Sequence, residues 1–113
     1  MPVQFSRMGA IGVLRVVGRL DTQGVDELER AAFEAITSAS ALVLDLGEAT
    51  DASPAALRAI VTLDTMMAHR GQMLCLCPSD SLMRRGLDAG NVTLRASHAA
   101  TVAAAAALLS ARM

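Results

Sequence analysis

Apolar and polar positions along the chain alternate between two periods, and the changes of period mark the elements. Ile11 to Val17 (IGVLRVV) is rich in β-branched residues and ends at Gly18, which predicts a strand. Val3 to Arg7 fits an antiparallel neighbour, with Met8-Gly9-Ala10 as the turn. From about Gln23 to Ser38, Val25, Leu28, Ala32 and Ile36 recur at helical spacing. Glu29 and Arg30 fall on the outer side of that helix, and Phe33 widens its apolar face. Asp21 or Thr22 can accept from the free amides at its start. Ala41 to Leu46 (ALVLDL) is a short apolar run suited to a buried central strand, followed by a loop over Gly47 to Ala52. Pro54 suits the first turn of a second helix, because its missing amide would have no partner there; Ser53 is then the natural N-cap. This helix runs to about His69 and stops at Arg70-Gly71, with Leu57, Ile60, Val61 and Met67 in one stripe. Met73 to Cys77 (MLCLC) predicts another buried strand closed by Pro78. Ser79 or Asp80 is expected to cap a short helix through Leu82 and Met83 that ends near Gly86. Val92 to Arg95 is expected as a last short strand, and Ser97 as the cap of a final helix to about Arg112.

The order is β-β-α-β-α-β-α-β-α. Strands alternating with helices imply an α/β fold with a mostly parallel central sheet, right-handed crossovers and an antiparallel strand at the N-terminus. No linker, repeat or long charge run divides the 113 residues, which fit one domain, 1–113.

Composition narrows the function classes. Hydrophobic residues make up 53% of the chain, with Ala, Val, Leu and Met prominent, and aromatic residues only 2%, Phe5 and Phe33. So few rings argue against a stacking platform for single-stranded nucleic acid. Ten basic against eleven acidic residues give a net charge of −1, so there is no basic field to gather phosphates and nucleic acid is not an expected partner. Met1 to Arg7 lacks the apolar core of a signal peptide, and the apolar run from Val102 to Leu109 is far shorter than the ~20 residues that span a bilayer. A soluble cytoplasmic protein without direct membrane insertion is expected. Cys75 and Cys77 alternate with Leu74 and Leu76; on a strand they share a face but are badly oriented to bridge, and buried free thiols are expected.

Enzyme signatures are missing from the sequence: there is no G-x-S-x-G, no phosphate-cradling glycine loop and no paired-carboxylate arrangement. Cys75 is not flanked by a base, which argues against a nucleophile. His69 and His98 stand far apart without Cys or carboxylate spacing for zinc, and His98 is expected at the surface. No cofactor and no metal are expected. Arg84 and Arg85 read as a solvated helix end.

Several features in order resemble the STAS domain (sulphate transporter and anti-sigma factor antagonist). Gly18-Arg19-Leu20-Asp21 is similar to that family's G-x-L-D after its second strand, and Leu42-Val43-Leu44-Asp45-Leu46 to its apolar strand ending in D-L. Ser53-Pro54-Ala55-Ala56-Leu57 sits where the family carries D-S-S-G-L, and Gly71-Gln72-Met73-Leu74 resembles its G-x-x-L strand entry. The Ala-rich last helix resembles the family's C-terminal helix, so the likeness covers nearly the whole chain. It implies a non-enzymatic binding module, an antagonist of an anti-sigma factor, acting by partner switching with an anti-sigma factor that is also a serine kinase of the ATPase type. In the family, phosphorylation of a Ser at a helix N-terminus ends that binding. Counting without gaps from Asp45, Ser53 falls at the family's Asp and Pro54 at its phosphoacceptor, and in no register does Asp directly precede Ser. Either phosphorylation is absent or Ser53 serves as acceptor in an altered setting.

The resemblance also implies an acidic rim of Asp21 and Asp51 beside the switch site; the alternative is helix capping by Asp21 and a solvated Asp51. Ala59, Leu63 and Met66 form a second apolar strip on the second helix. A Met-containing exposed strip suits partner docking, and the alternative is packing under a neighbouring helix. Partner-binding residues are thus expected at Asp21, Asp51, Ser53, Pro54, Ala59, Leu63 and Met66. Two other roles of the family stay open: a cytosolic subunit of a lipid-transport ABC system, with the transporter ATPase as partner, and a subunit of a stress-sensing complex. Homodimerisation is left open as well.

Overall fold

The computed structural model describes residues 3–50, 53–90 and 94–113. A hairpin of β1 (Val3–Met8) and β2 (Ile11–Gly18) leads into α1 (Thr22–Ser38), β3 (Ala41–Ala49), α2 (Pro54–His69), β4 (Met73–Cys77), α3 (Leu82–Ala89), β5 (Ser97–His98) and α4 (Val102–Arg112). The strands form one sheet in the order β1-β2-β3-β4-β5, antiparallel between β1 and β2 and parallel throughout the rest. The expected architecture is the observed one.

Because the strand order never reverses, every crossover steps the same way across the sheet. Crossovers of one hand must then put their helices on one face. The cores agree. Leu14, Val16, Leu42, Leu44, Leu46, Leu74 and Leu76 cluster with residues of α1, α2 and α3, including Leu28, Ile60 and Met83. The alternate residues Ile11, Val13, Ala41, Val43, Cys75 and Cys77 meet α4 through Ala105, Ala106 and Leu109. The central strands are covered on both sides, which is why they read as continuous apolar runs.

Turn chemistry sits where the backbone demands it. Gly18 ends β2 at φ 80° with open space where a Cβ would stand, and Gly71 joins α2 to β4 at φ 68°. The side-chain Nε2 of Gln72 donates to the carbonyls of Ile36 (2.8 Å) and Ala39 (2.9 Å), tying the end of α1 to the start of β4.

Several boundaries differ from expectation. β3 continues through Gly47 to Ala49; a register shift between Arg15 and Val17 lets Glu48 and Ala49 pair with Val17 and Gly18. The cap of α3 is Ser81, whose hydroxyl accepts from the Arg84 amide at 2.9 Å. This helix runs past Gly86 because Met83 and Leu87, one turn apart, are both buried. β5 is Ser97–His98, paired with Cys75 and Leu76; of the expected strand Val92 to Arg95, positions 92 and 93 lie outside the described residues, and Leu94 and Arg95 precede β5. Ser97 therefore caps no helix: its hydroxyl accepts from the Arg112 guanidinium at 2.8 Å, and Thr101 caps α4 by accepting from the Ala104 amide at 3.1 Å. On α2, Ile60 and Met67 are buried as expected, while Leu57 and Val61 are half-buried and Ala56, Ala59 and Leu63 complete the buried face. Phe33 does not widen the buried face of α1; it is 60% exposed.

Replacing Gly18 by Ala adds no clash, so its cost is the left-handed backbone alone, about 1–2 kcal/mol. Urea unfolding should show that loss with an unchanged m-value.

Candidate functional site

Two helix starts come together at the C-terminal ends of β2 and β3. Asp21 caps α1: its Oδ1 accepts from the Gly24 amide at 2.9 Å. Ser53 caps α2: its Oγ accepts from the Ala56 amide at 3.2 Å, and Pro54 occupies the first turn. The Ser53 hydroxyl also donates to the Leu20 carbonyl at 3.4 Å, one residue before the Asp21 cap. Leu20 itself is fully buried, so this carbonyl is held by the core. One hydroxyl thus links the start of α2 to the loop that starts α1.

Asp21 and Pro54 are exposed at this end and Ser53 is half-buried. Pro54 offers no hydroxyl. Asp51 lies outside the described residues, so Asp21 is the one member of the expected acidic rim that the structure describes, and it is a cap. Both capping readings, of Asp21 and of Ser53, are met by direct hydrogen bonds.

The remaining expected partner residues are elsewhere. Ala59 and Leu63 are buried under α1, which corrects their expected exposure, and Met66 is half-buried. They line a groove between α1 and α2 rather than a protruding strip. Arg84 pairs with Asp88 (3.3 Å, one turn on) and Arg85 with Asp80 (3.7 Å), as a solvated helix end does.

The cysteines are free and buried. Burial pushes the Cys77 thiol from 9.0 up to about 12, helped by the negative charge of Asp45 and by Cys75; burial also raises Cys75, against the pull of Arg112. Protonated, enclosed thiols are poor nucleophiles. His98 corrects an expectation: it lies on β5, half-buried, with Nδ1 enclosed. Burial lowers its pKa, Arg84 adds to that, and Asp88 and Asp64 oppose it. Among the described residues no three His, Cys, Asp or Glu stand close enough to hold a metal.

Two polar features escaped the sequence reading. Asp64 is buried within α2 and accepts from the Arg95 amide at 3.0 Å, fastening the chain ahead of β5. A carboxylate between Leu63 and Met66, inside an apolar pattern, is the available signal. Gln4, Arg15, Asp45 and Cys77 stand in lateral register across the sheet, with Arg15 paired to Glu48.

The parts define a small α/β domain in which one capping hydroxyl joins two helix starts. The chain matches the family model described as STAS domain over residues 3–105, and it belongs to that family. Its fold is similar to a variant of RsbS from Moorella thermoacetica (19% identity, all of both chains covered at 100%, TM-score 0.81). It is also similar to an anti-sigma factor antagonist from Mycobacterium paratuberculosis (16% identity, 96% of this chain and 92% of that one, TM-score 0.78). The anti-sigma factor antagonist SpoIIAA in its unphosphorylated form shares the fold too (14% identity, 97% of both chains, TM-score 0.73). No curated protein matches the chain. Among the described residues no helix is long and apolar enough to cross a membrane.

Ser53→Ala removes a cap and its bond to Leu20, and should cost about 1 kcal/mol in urea unfolding. A second expectation concerns alkaline pH. The ten basic residues are all Arg and there is no Tyr, so the thiols are the side chains that titrate between about pH 9 and 11. The unfolded chain releases its thiol protons near 9.0 while folded Cys77 holds its own to about 12. Stability is therefore full below about pH 9 and falls as pH rises toward 12, by up to about 1.4 kcal/mol per pH unit for each thiol. Urea midpoints at a series of pH values check this, and Cys75→Ala/Cys77→Ala should flatten the slope.

Proposed function

We propose that this protein is a non-enzymatic switch module that binds an anti-sigma factor of the kinase type and so antagonises it, with the Ser53 end of α2 as the contact. The observation that carries the reading is the double engagement of the Ser53 hydroxyl, with the Ala56 amide of its own helix and the Leu20 carbonyl of the neighbouring loop. Membership in the STAS family and the fold shared with anti-sigma factor antagonists support it.

A change at this one oxygen has two separable effects. A phosphate adds about −1.5 to −2 charge. The free amides and dipole of the α2 N-terminus accommodate that charge, so the fold survives. The phosphoester oxygen no longer carries a proton for the Leu20 carbonyl, so the tie between the two helix starts is lost. A partner lying over Asp21, Ser53 and Pro54 meets both a new charge and a loosened loop.

The test uses the tagged full chain as bait in its own cell lysate, read by mass spectrometry. A small kinase-like ATPase should be recovered. Ser53→Asp keeps a capping oxygen, so its melting temperature should stay within a few degrees of wild type, while capture of that ATPase should fall at least tenfold, the scale of a like-charge or desolvation penalty at a contact. Recovery of an ABC ATPase with its permease, indifferent to Ser53→Asp, would move the protein to the transport reading.

A further inference from the structure

Phe33 is one of two aromatic residues in the chain, and 60% of it faces solvent. Covering the rest of this ring would be favourable, and the fold leaves that gain unused. The ring walls a groove of about 210 Å³ between α1 and α2, with Leu28, Ala32, Ala59 and Leu63 as its floor and Met66 opposite. Pockets for small ligands usually hold roughly 300–1,000 Å³, so this one suits one or two side chains and not a cofactor. A thioether in the wall lets the groove adapt to the side chain it receives.

Charge selects the occupant. α1 carries Asp26, Glu27, Glu29 and Glu34 against Arg30 alone. Asp26, Glu29 and Glu34 are exposed on the same side of the helix surface as Phe33 or next to it, and Glu29 lines the groove. A second copy docked about a twofold axis would set two acidic helices face to face, and like charges across an interface oppose association. A helix that carries Lys or Arg beside an apolar anchor meets the opposite situation. Helix-in-groove docking needs only such an anchor and a few neighbours at helical spacing.

We propose that the α1–α2 groove docks a basic amphipathic helix of a partner protein, seating one apolar side chain between Phe33 and Met66 and its cations against Glu29 and the neighbouring carboxylates of α1. This surface does not rest on the Ser53 reading. At about 1.5 Å per residue, Met66 lies about 20 Å along α2 from the cap.

The experiment titrates the full chain into two fluorescein-labelled 16-residue helical peptides with the same leucines at i, i+4 and i+7. One has Lys at its polar positions and the other Glu. Amide shifts of the ¹⁵N-labelled protein locate the binding. The Lys peptide should bind and shift amides around Ala32, Phe33, Thr62 and Met66. Phe33→Ala, which removes an exposed ring and leaves the circular dichroism unchanged, should weaken binding by roughly fivefold or more, as should Glu29→Lys. Equal binding of the Glu peptide would overturn the proposal. So would shifts that fall away from the groove, or a wild-type dimer in sedimentation that Phe33→Ala dissolves. A partner switch at Ser53 that fails its own test leaves these readouts untouched, so the two readings fail separately.

Discussion

Each crossover in this domain advances one strand from β2 toward β5, and all three share one hand. From that constraint the placement of every helix follows. Three helices crowd one face of the sheet and α4 alone covers the other. The loops that start α1 and α2 leave adjacent parallel strands at the same end and on the same side. That adjacency is what lets a serine hydroxyl at the start of α2 reach a carbonyl before α1. The candidate site is thus a consequence of the winding, and the central strands, apolar on both faces, hold it in place.

Capping by itself does not single out a functional serine here. Asp21, Ser53, Ser81 and Thr101 each accept from the amide three residues on, so all four helices start with the same device. Ser81 is sealed in the core at 3% exposure, and Thr101 bonds only within its own helix start. Ser53 differs in two respects: it is half-exposed, and its proton goes to a different segment of the chain. A change in its chemistry is felt outside α2, which is the minimum a switch position requires.

Local rules carried the sequence reading where one physical cause dominates. Pro54 after Ser53 placed a helix start, and LVLDL and MLCLC placed strands, because burial on both faces leaves a continuous apolar run. Reading failed where a tertiary contact overrode the local signal. Gly47 reads as a loop, yet β3 goes on because a bulge in β3 itself and the Arg15–Glu48 pair extend the ladder. Ser97 reads as a cap, yet it sits in β5 and receives Arg112 from the far end of α4. Gly86 reads as a helix end, yet Met83 and Leu87 bury on either side of it. Ala59 and Leu63 read as an exposed strip because a helical wheel shows which residues share a face and not what covers that face; α1 covers it. Phe33 is the converse, an apolar residue at near-core spacing that the neighbouring helix leaves mostly uncovered, at the edge of an open groove.

The proline that follows Ser53 bears on how such a switch would behave. In the ungapped register, Pro54 takes the position where the family's acceptor would stand, and a proline ring has no oxygen to modify. The hydroxyl has in effect moved to the cap. There it is engaged on both sides, accepting from Ala56 and donating to Leu20. Attack on a phosphate needs removal of the proton that this hydroxyl directs at the Leu20 carbonyl, whereas its second lone pair leaves the bond from the Ala56 amide intact. On the proposed reading the exposed Asp21 and Pro54 share the contact surface with Ser53, so a change at that one oxygen alters both the charge of the surface and the loop beneath it.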